Sequence, residues 1–253
     1  MKGRILFVIG ALLAAATPVL AQDAEVVASP GGSDLPPPAA SKSWEIGFGL
    51  GYSQGVGDIG GNDPTLTDLS HAGGELQLNI GYRIDRNWMV GVYGSVARYS
   101  LGDSTPDGSL IWSGTAGVQA NYHIIPDGRW DPWIGLGSGW HGHWVQKHEA
   151  GTDSRQGLDL ARLQVGVDYR VSTMLSVSPY IGASATMFLT QQLGHESTFS
   201  NISDPNVNFF FFGGLMGRFD VFPAKSSSVE VASNCGSESR RAAGTVMGGL
   251  DCG

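Results

Sequence analysis

Between Glu75 and Val96 the chain alternates between apolar and polar residues, turns, and alternates again. Leu76, Leu78, Ile80, Tyr82 and Ile84 share one parity, and Glu75, Gln77, Asn79, Gly81 and Arg83 share the other. After Asp85-Arg86-Asn87 the apolar parity resumes at Trp88, Val90 and Val92. A strand points successive side chains to opposite faces, so this spacing predicts a hairpin with one apolar and one polar face. A soluble two-layer sheet gives the same alternation, and the rest of the chain must decide the solvent.

The pattern recurs. Strands are predicted over Ser43–Gln54, Glu75–Ile84, Trp88–Tyr99, Leu110–Ile124, Trp130–Val145, Leu158–Val171, Leu175–Thr190 and Asn206–Phe222. The connections alternate in length. Gly55–Gly73, Ser100–Ser109, Gln146–Gly157 and Gln191–Pro205 are long and polar. Asp85–Asn87, Ile125–Arg129 and Ser172–Met174 are short. An even number of strands with this loop rhythm predicts an all-β fold, an eight-stranded antiparallel up-and-down transmembrane β-barrel. On the polar parity Gly, Ser, Thr, Asn and Gln dominate, where a solvent-facing sheet would use Lys and Glu freely. Small polar residues suit a packed, hydrated interior, so the apolar parity is assigned to lipid. The 38 glycines fit a narrow lumen that mixes small and large side chains.

Flanking segments set the compartment. Lys2 and Arg4, the apolar run Ile5–Ala16 and Val19-Leu20-Ala21 read as a secretory signal over residues 1–21, cleaved near Ala21. Lys2 and Arg4 leave with it, so the mature chain lies two units below the full chain's formal charge of −8. That acidity argues against nucleic acid as a partner. Residues 22–42, with Pro36-Pro37-Pro38, read as a disordered Pro/Ala-rich linker, residues 43–222 as the barrel, and residues 223–253 as a disordered tail. Cys235 and Cys252 lie in that tail and are left either as free thiols or as a disulfide. Past the signal no apolar run approaches the roughly 20 residues of a membrane helix, so a spanning chain must close into a barrel.

In signal, strand count, loop rhythm and the aromatic-rich last strand Phe209–Phe222, the chain resembles the small eight-stranded outer-membrane barrels of the OmpA, OmpX and opacity type. The resemblance spans residues 43–222. It implies a Gram-negative outer-membrane location, insertion by the barrel-assembly machinery, and Phe222 as the terminal aromatic that this machinery reads. Asp220 departs from the family pattern, as does the chain beyond Phe222. The expected partners are the lipid bilayer and lipopolysaccharide, and a monomer is expected.

Several constellations carry chemistry. Glu45, Arg83, Arg218 and Asp220 fall on inward positions near the inner, periplasmic end, with Asp168 and Arg170 at a similar level. Charges in a narrow lumen must pair or stay hydrated, so these six are predicted to form an ion-pair network. Trp44, Tyr52, Tyr82, Trp88, Trp112, Tyr122, Trp144, Tyr169 and Phe219 are predicted to form aromatic girdles at the two membrane boundaries. His141 and His143 share one face of strand five, with His148 following. Two imidazoles at this spacing can reach one metal, but no carboxylate or cysteine completes the set, so hydrogen-bonded lumen histidines are expected, with no metal or other cofactor. His195-Glu196-Ser197 resembles the His-x-Ser motif of barrel lipid A deacylases, but Phe209–Phe212 holds no acid to orient the histidine. The expected role is therefore non-enzymatic, structural or adhesin-like, with the lumen packed by its own side chains. A narrow porin-like channel, a lipid A hydrolase and a soluble periplasmic barrel stay open as alternatives.

Overall fold

The computed structural model describes residues 41–60, 64–148, 151–195 and 198–221. Strands β1 (Ser43–Val56), β2 (Ser70–Arg83), β3 (Trp88–Leu101), β4 (Leu110–His123), β5 (Trp130–Lys147), β6 (Gly151–Arg170) and β7 (Leu175–Gln192) each pair antiparallel with the next. A two-residue β8 (Ser200–Asn201) lies against β7. β9 (Val207–Val221) pairs with both β7 and β1 and closes the sheet. Eight strands thus make the barrel, and a short helical turn, α1 (Leu66–Leu69), sits in the β1–β2 loop. Among the described residues no helix is long and apolar enough to cross a membrane.

Alternation decides which face each residue takes. Trp44, Phe48, Leu50, Leu76, Val92, Val118, Leu136 and Ile181 are exposed on the outside. Glu45, Gln77, Asn79, Asn121, Asp159, Arg162 and Asp168 are buried inside. A soluble barrel places its apolar residues in the core and its charges outside. This inversion is the arrangement that lipid demands, with every backbone group paired in a closed sheet.

The outer half departs from the predicted strand limits. Gln146–Gly157, predicted as a loop, is a hairpin: β5 runs to Lys147, β6 begins at Gly151, and His143 pairs with Arg155. Its polar composition hid the alternation, because beyond the lipid both faces of a strand are free to be polar. Ser70–Gly73 is likewise strand, and α1 occupies part of the predicted Gly55–Gly73 loop. The signal, nearly all of the linker, Phe222 and the tail with Cys235 and Cys252 lie outside the described residues.

Glycine serves lumen volume, as where Gly166 and Gly182 make room for Trp133 and Phe212, and it also serves closure. Inward glycines face each other across strand pairs at Gly51↔Gly214, Gly81↔Gly91 and Gly117↔Gly139. A Cβ on Gly91, Gly117, Gly139 or Gly214 would fall against a carbonyl oxygen of the facing strand. A sheet this narrow must bend sharply, and glycine kinks are where a strand can do so.

Candidate functional site in the barrel lumen

At the inner end β1, β2 and β9 bring three of the predicted residues together. The Arg83 guanidinium donates through Nε to Glu45 Oε2 at 2.8 Å, with Nη2 2.6 Å from the same oxygen, and lies 3.3 Å from Asp220 Oδ1. Arg218 Nη1 lies 3.4 Å from Asp168 Oδ2 and 3.6 Å from Glu45 Oε1, joining β6 to the cluster. Arg170 is buried at the same end and acts electrostatically on Asp220.

Sequence reasoning missed the other half of this cluster. His123 Nδ1 meets Asp131 Oδ2 at 2.7 Å, and Arg218 stacks over the Trp133 ring at 4.0 Å. Asp131 and Trp133 lie one and three residues into β5, on the parity whose charged and bulky members a search for apolar alternation passes over. Among the described residues His123, Asp131 and Asp168 form the sole group of at least three His, Cys or carboxylate side chains with metal-ligand spacing, their ligand atoms lying within 4.8 Å of one another. The hydrogen bonds fit a metal poorly. His123 donates Nδ1–H to Asp131, which leaves Nε2 to accept from Arg218 Nη1 at 3.4 Å. A metal on Nδ1 would move the ring proton to Nε2, against the guanidinium. Arg218 already supplies the positive charge this group needs.

Higher in the lumen, the Arg162 guanidinium sits 3.8 Å from the Phe212 ring and 4.9 Å from that of Tyr93, while Nη2 donates to Gln77 Oε1 at 3.1 Å and lies 3.5 Å from Glu75. Trp133, Tyr180, Phe212 and Met216 form a buried apolar cluster. Above this, Asp159 accepts from Thr186 Oγ1 and from His141 Nδ1, the latter at 3.0 Å. His143 is fully buried with neither ring nitrogen partnered, contrary to the expectation that both lumen histidines are hydrogen-bonded. His148 is exposed beyond the end of β5.

An apolar cap closes the outer end. Ile59, Leu66 and Leu69 of the β1–β2 loop and Ile202 of the β7–β9 loop cluster with Phe188 and Phe210, inward residues toward the outer ends of their strands. Thr65 caps α1 in a reciprocal exchange with Asp68, which turns Leu66 and Leu69 toward the lumen. The loop is tied down by Gly102 N to Leu69 O at 3.0 Å, Thr105 Oγ1 to Leu69 O at 2.7 Å and Asn206 N to Ile59 O at 3.2 Å. Gly60 adopts φ +122° where it bridges to Pro205, and a Cβ there would strike the Asp204 carbonyl. Leu66→Asp sets an unpaired carboxylate in this cluster, a cost of several kcal/mol. The cap is expected to open, and limited proteolysis should then cut the β1–β2 loop at least tenfold faster while the barrel stays folded.

Of the predicted girdle residues, those at the inner end meet in cross-strand pairs: Trp44 with Tyr82 and Trp88 with Tyr122, at centroid distances of 5.6 and 5.0 Å. Tyr169 pairs with Trp130, a residue the sequence reading left out, at 4.7 Å, and Phe219 lies across from Leu175. Toward the outer end Trp112 stacks on Trp144 at 4.0 Å, with Trp140 beside them, and Tyr52 lies across from Gly213. His195 is exposed in the β7–β9 loop, and Ser197 lies outside the described residues.

No protein-family model and no curated protein matches the sequence. Solved structures of similar shape include Neisserial surface protein A, at 14% identity and TM-score 0.48, with 70% of this chain and 96% of that one covered. OprG of Pseudomonas aeruginosa aligns at 11% identity and TM-score 0.47, covering 72% and 98%. Ail, the attachment invasion locus protein of Yersinia pestis, aligns at 14% identity and TM-score 0.40, covering 71% and 99%. These likenesses concern strand arrangement only. On its own geometry, a closed antiparallel sheet with an apolar exterior and a charged, packed lumen, the chain is a small eight-stranded transmembrane β-barrel.

Proposed function

We propose that this barrel resides in the outer membrane and acts through its outer surface, in a structural or adhesin-like role, with no transport path and no chemistry of its own. The observation that carries this reading is occlusion at successive depths. The Arg83–Glu45–Asp220 and Arg218–Asp168 pairs fill the inner end, the Trp133 and Arg162 clusters the middle, and the Ile59–Leu66–Phe210 cluster the outer mouth. An eight-stranded barrel has room for little beyond its own side chains. What remains for a partner is the outer rim, formed by the β5–β6 hairpin and the β1–β2 and β7–β9 loops, the last two joined through Asn206 N to Ile59 O. The paired aromatics belong at the lipid–water boundaries, with lipopolysaccharide on the outer side and assembly by the barrel-assembly machinery.

Planar-bilayer recording tests the closed lumen. Neither the wild type nor Arg218→Ala is expected to give large, stable conductance, although the variant is destabilised. Stable large channels from the wild type would overturn the reading. Membrane fractionation with heat-modifiable gel migration tests the location, and a soluble periplasmic pool as the main species would refute it.

A further inference from the structure

Charge in the barrel wall points inward with one exception. Among the described strand residues every Asp, Glu and Arg side chain other than Arg98 is buried in the lumen, and Lys147 pairs with Asp153 at the outer end of β5. Arg98 of β3 faces out, is exposed, and makes no side-chain hydrogen bond or ion pair with another described residue. It lies ten residues along β3 from Trp88 of the inner girdle. At about 3.3 Å per residue and a tilt of about 40°, this is roughly 25 Å of height, the thickness of the apolar band. A lipid-facing arginine is strongly disfavoured at the bilayer centre and tolerated at its boundary, where lipid phosphates stand.

A line of facing residues crosses the wall through this point. From Ser154 in the β5–β6 hairpin it passes Trp144, Trp112, Arg98, Gly74 and Tyr52 to Gly213. It continues through Ile181, Val165 and Ile134 to Tyr122 of the inner girdle. Because the strands tilt, the line descends from the outer rim into the lipid. Above Arg98 it is aromatic: Trp112, the facing residue on β4, is exposed and stacks on Trp144 at 4.0 Å with planes 18° apart. Below Arg98 it opens. A Cβ on Gly74 would meet no atom within 4 Å, and Tyr52, Ile181, Ala183, Phe211 and Gly213 line an apolar groove of about 500 Å³.

We propose that this line binds one molecule of lipopolysaccharide by its lipid A, with Arg98 on a phosphate, Trp112 against the glucosamine ring that carries it, and an acyl chain laid across Gly74 into the groove beyond Tyr52. The three chemistries stand in the order that such a molecule presents them. A guanidinium offers a phosphate two parallel N–H donors. The flat face of an indole packs on the C–H face of a sugar ring, and the apolar groove takes the chain. The ring selects the occupant: a phospholipid of the same charge has a phosphate and chains but nothing for Trp112. The site rests on the outer-membrane location proposed above, since lipid A stands in the leaflet that Arg98 reaches.

Native mass spectrometry of the purified barrel in micelles, titrated with lipid A or with phosphatidylglycerol, tests the site. The wild type is expected to retain one lipid A, and to hold it at least tenfold more tightly than phosphatidylglycerol or lipid A stripped of phosphate. Arg98→Gln should weaken lipid A binding about 10–100-fold, as loss of charge-assisted hydrogen bonds does. Trp112→Leu should weaken lipid A and leave phosphatidylglycerol unchanged. Both side chains face outward, so both variants should keep the folded gel band. Trp88→Leu at the inner girdle should bind lipid A as the wild type does. Equal retention of lipid A and phosphatidylglycerol by the wild type, or unchanged lipid A binding in Arg98→Gln, would overturn the proposal and leave Arg98 reaching to water. The outer-membrane location, read by fractionation, would stand after either result.

Discussion

Arg83→Ala is expected to lower the unfolding free energy of the barrel by about 3–5 kcal/mol, the cost of breaking a buried pair by removing one partner. The reason lies in what remains behind. Glu45 and Asp220 are both buried at the inner end, and Arg83 contacts both, at 2.6 and 3.3 Å. Arg218, 3.6 Å from Glu45, already serves Asp168 and His123 and cannot take over both carboxylates. Two carboxylates would then share a space that no solvated cation enters without displacing packed side chains. Removing the charges together is cheaper: Arg83→Met with Glu45→Gln should recover at least half of the loss, because a buried pair contributes little beyond offsetting its own desolvation. Urea titration in micelles, followed by the heat-modifiable gel shift, measures both variants. A loss below about 1 kcal/mol for Arg83→Ala would place this network in the class of solvent-screened surface pairs.

The parts of this fold that were legible in the sequence are those where lipid imposes a rule. Outward positions within the bilayer must be apolar, so Leu76–Ile84 and Leu163–Val171 announce their strands without help from other residues. The alternation also located Glu45, Arg83, Arg218 and Asp220 at one level, because strand closure fixes their height. Beyond the lipid the rule lapses. The continuation of β5 and β6 through Lys147 and Gly151 has polar residues on both faces and reads as loop. The outer cap was invisible for another reason. Ile59, Leu66, Leu69 and Ile202 are isolated apolar residues within polar stretches, and only the folded loop brings them onto Phe188 and Phe210. The inner cluster shows the same limit at shorter range. Trp133 becomes a partner of Arg218 only when β5 lies across the lumen from β9, a contact with no sequence period, while Asp131 meets His123 across the β4–β5 hairpin.

Gly214→Val is expected to prevent barrel closure, and this effect is larger still because it acts on the seam that completes the sheet. β9 returns to β1 with Gly214 directly opposite Gly51, so each strand meets the other without an inward side chain. A Cβ on Gly214 would lie inside the van der Waals shell of the Leu50 carbonyl and 2.5 Å from the Gly51 Cα, and these are backbone atoms that cannot rotate away. The strands must separate, and separation costs ladder hydrogen bonds along a pairing that runs from Trp44↔Val221 to Val56↔Phe209. Overpacking alone costs roughly 1–3 kcal/mol in a core that can adjust. Here the adjustment is the opening of an edge, and an open sheet edge in lipid leaves unpaired backbone groups at several kcal/mol each. The variant should therefore refold into micelles with less than a tenth of the wild-type yield of heat-modifiable band. Gly74→Val is the matched control: its Cβ would meet no atom within 4 Å, on the outward face of β2. It should refold as the wild type does. Equal refolding of both valine variants would show that the seam tolerates a side chain, and that glycine is placed opposite glycine for a reason other than backbone approach.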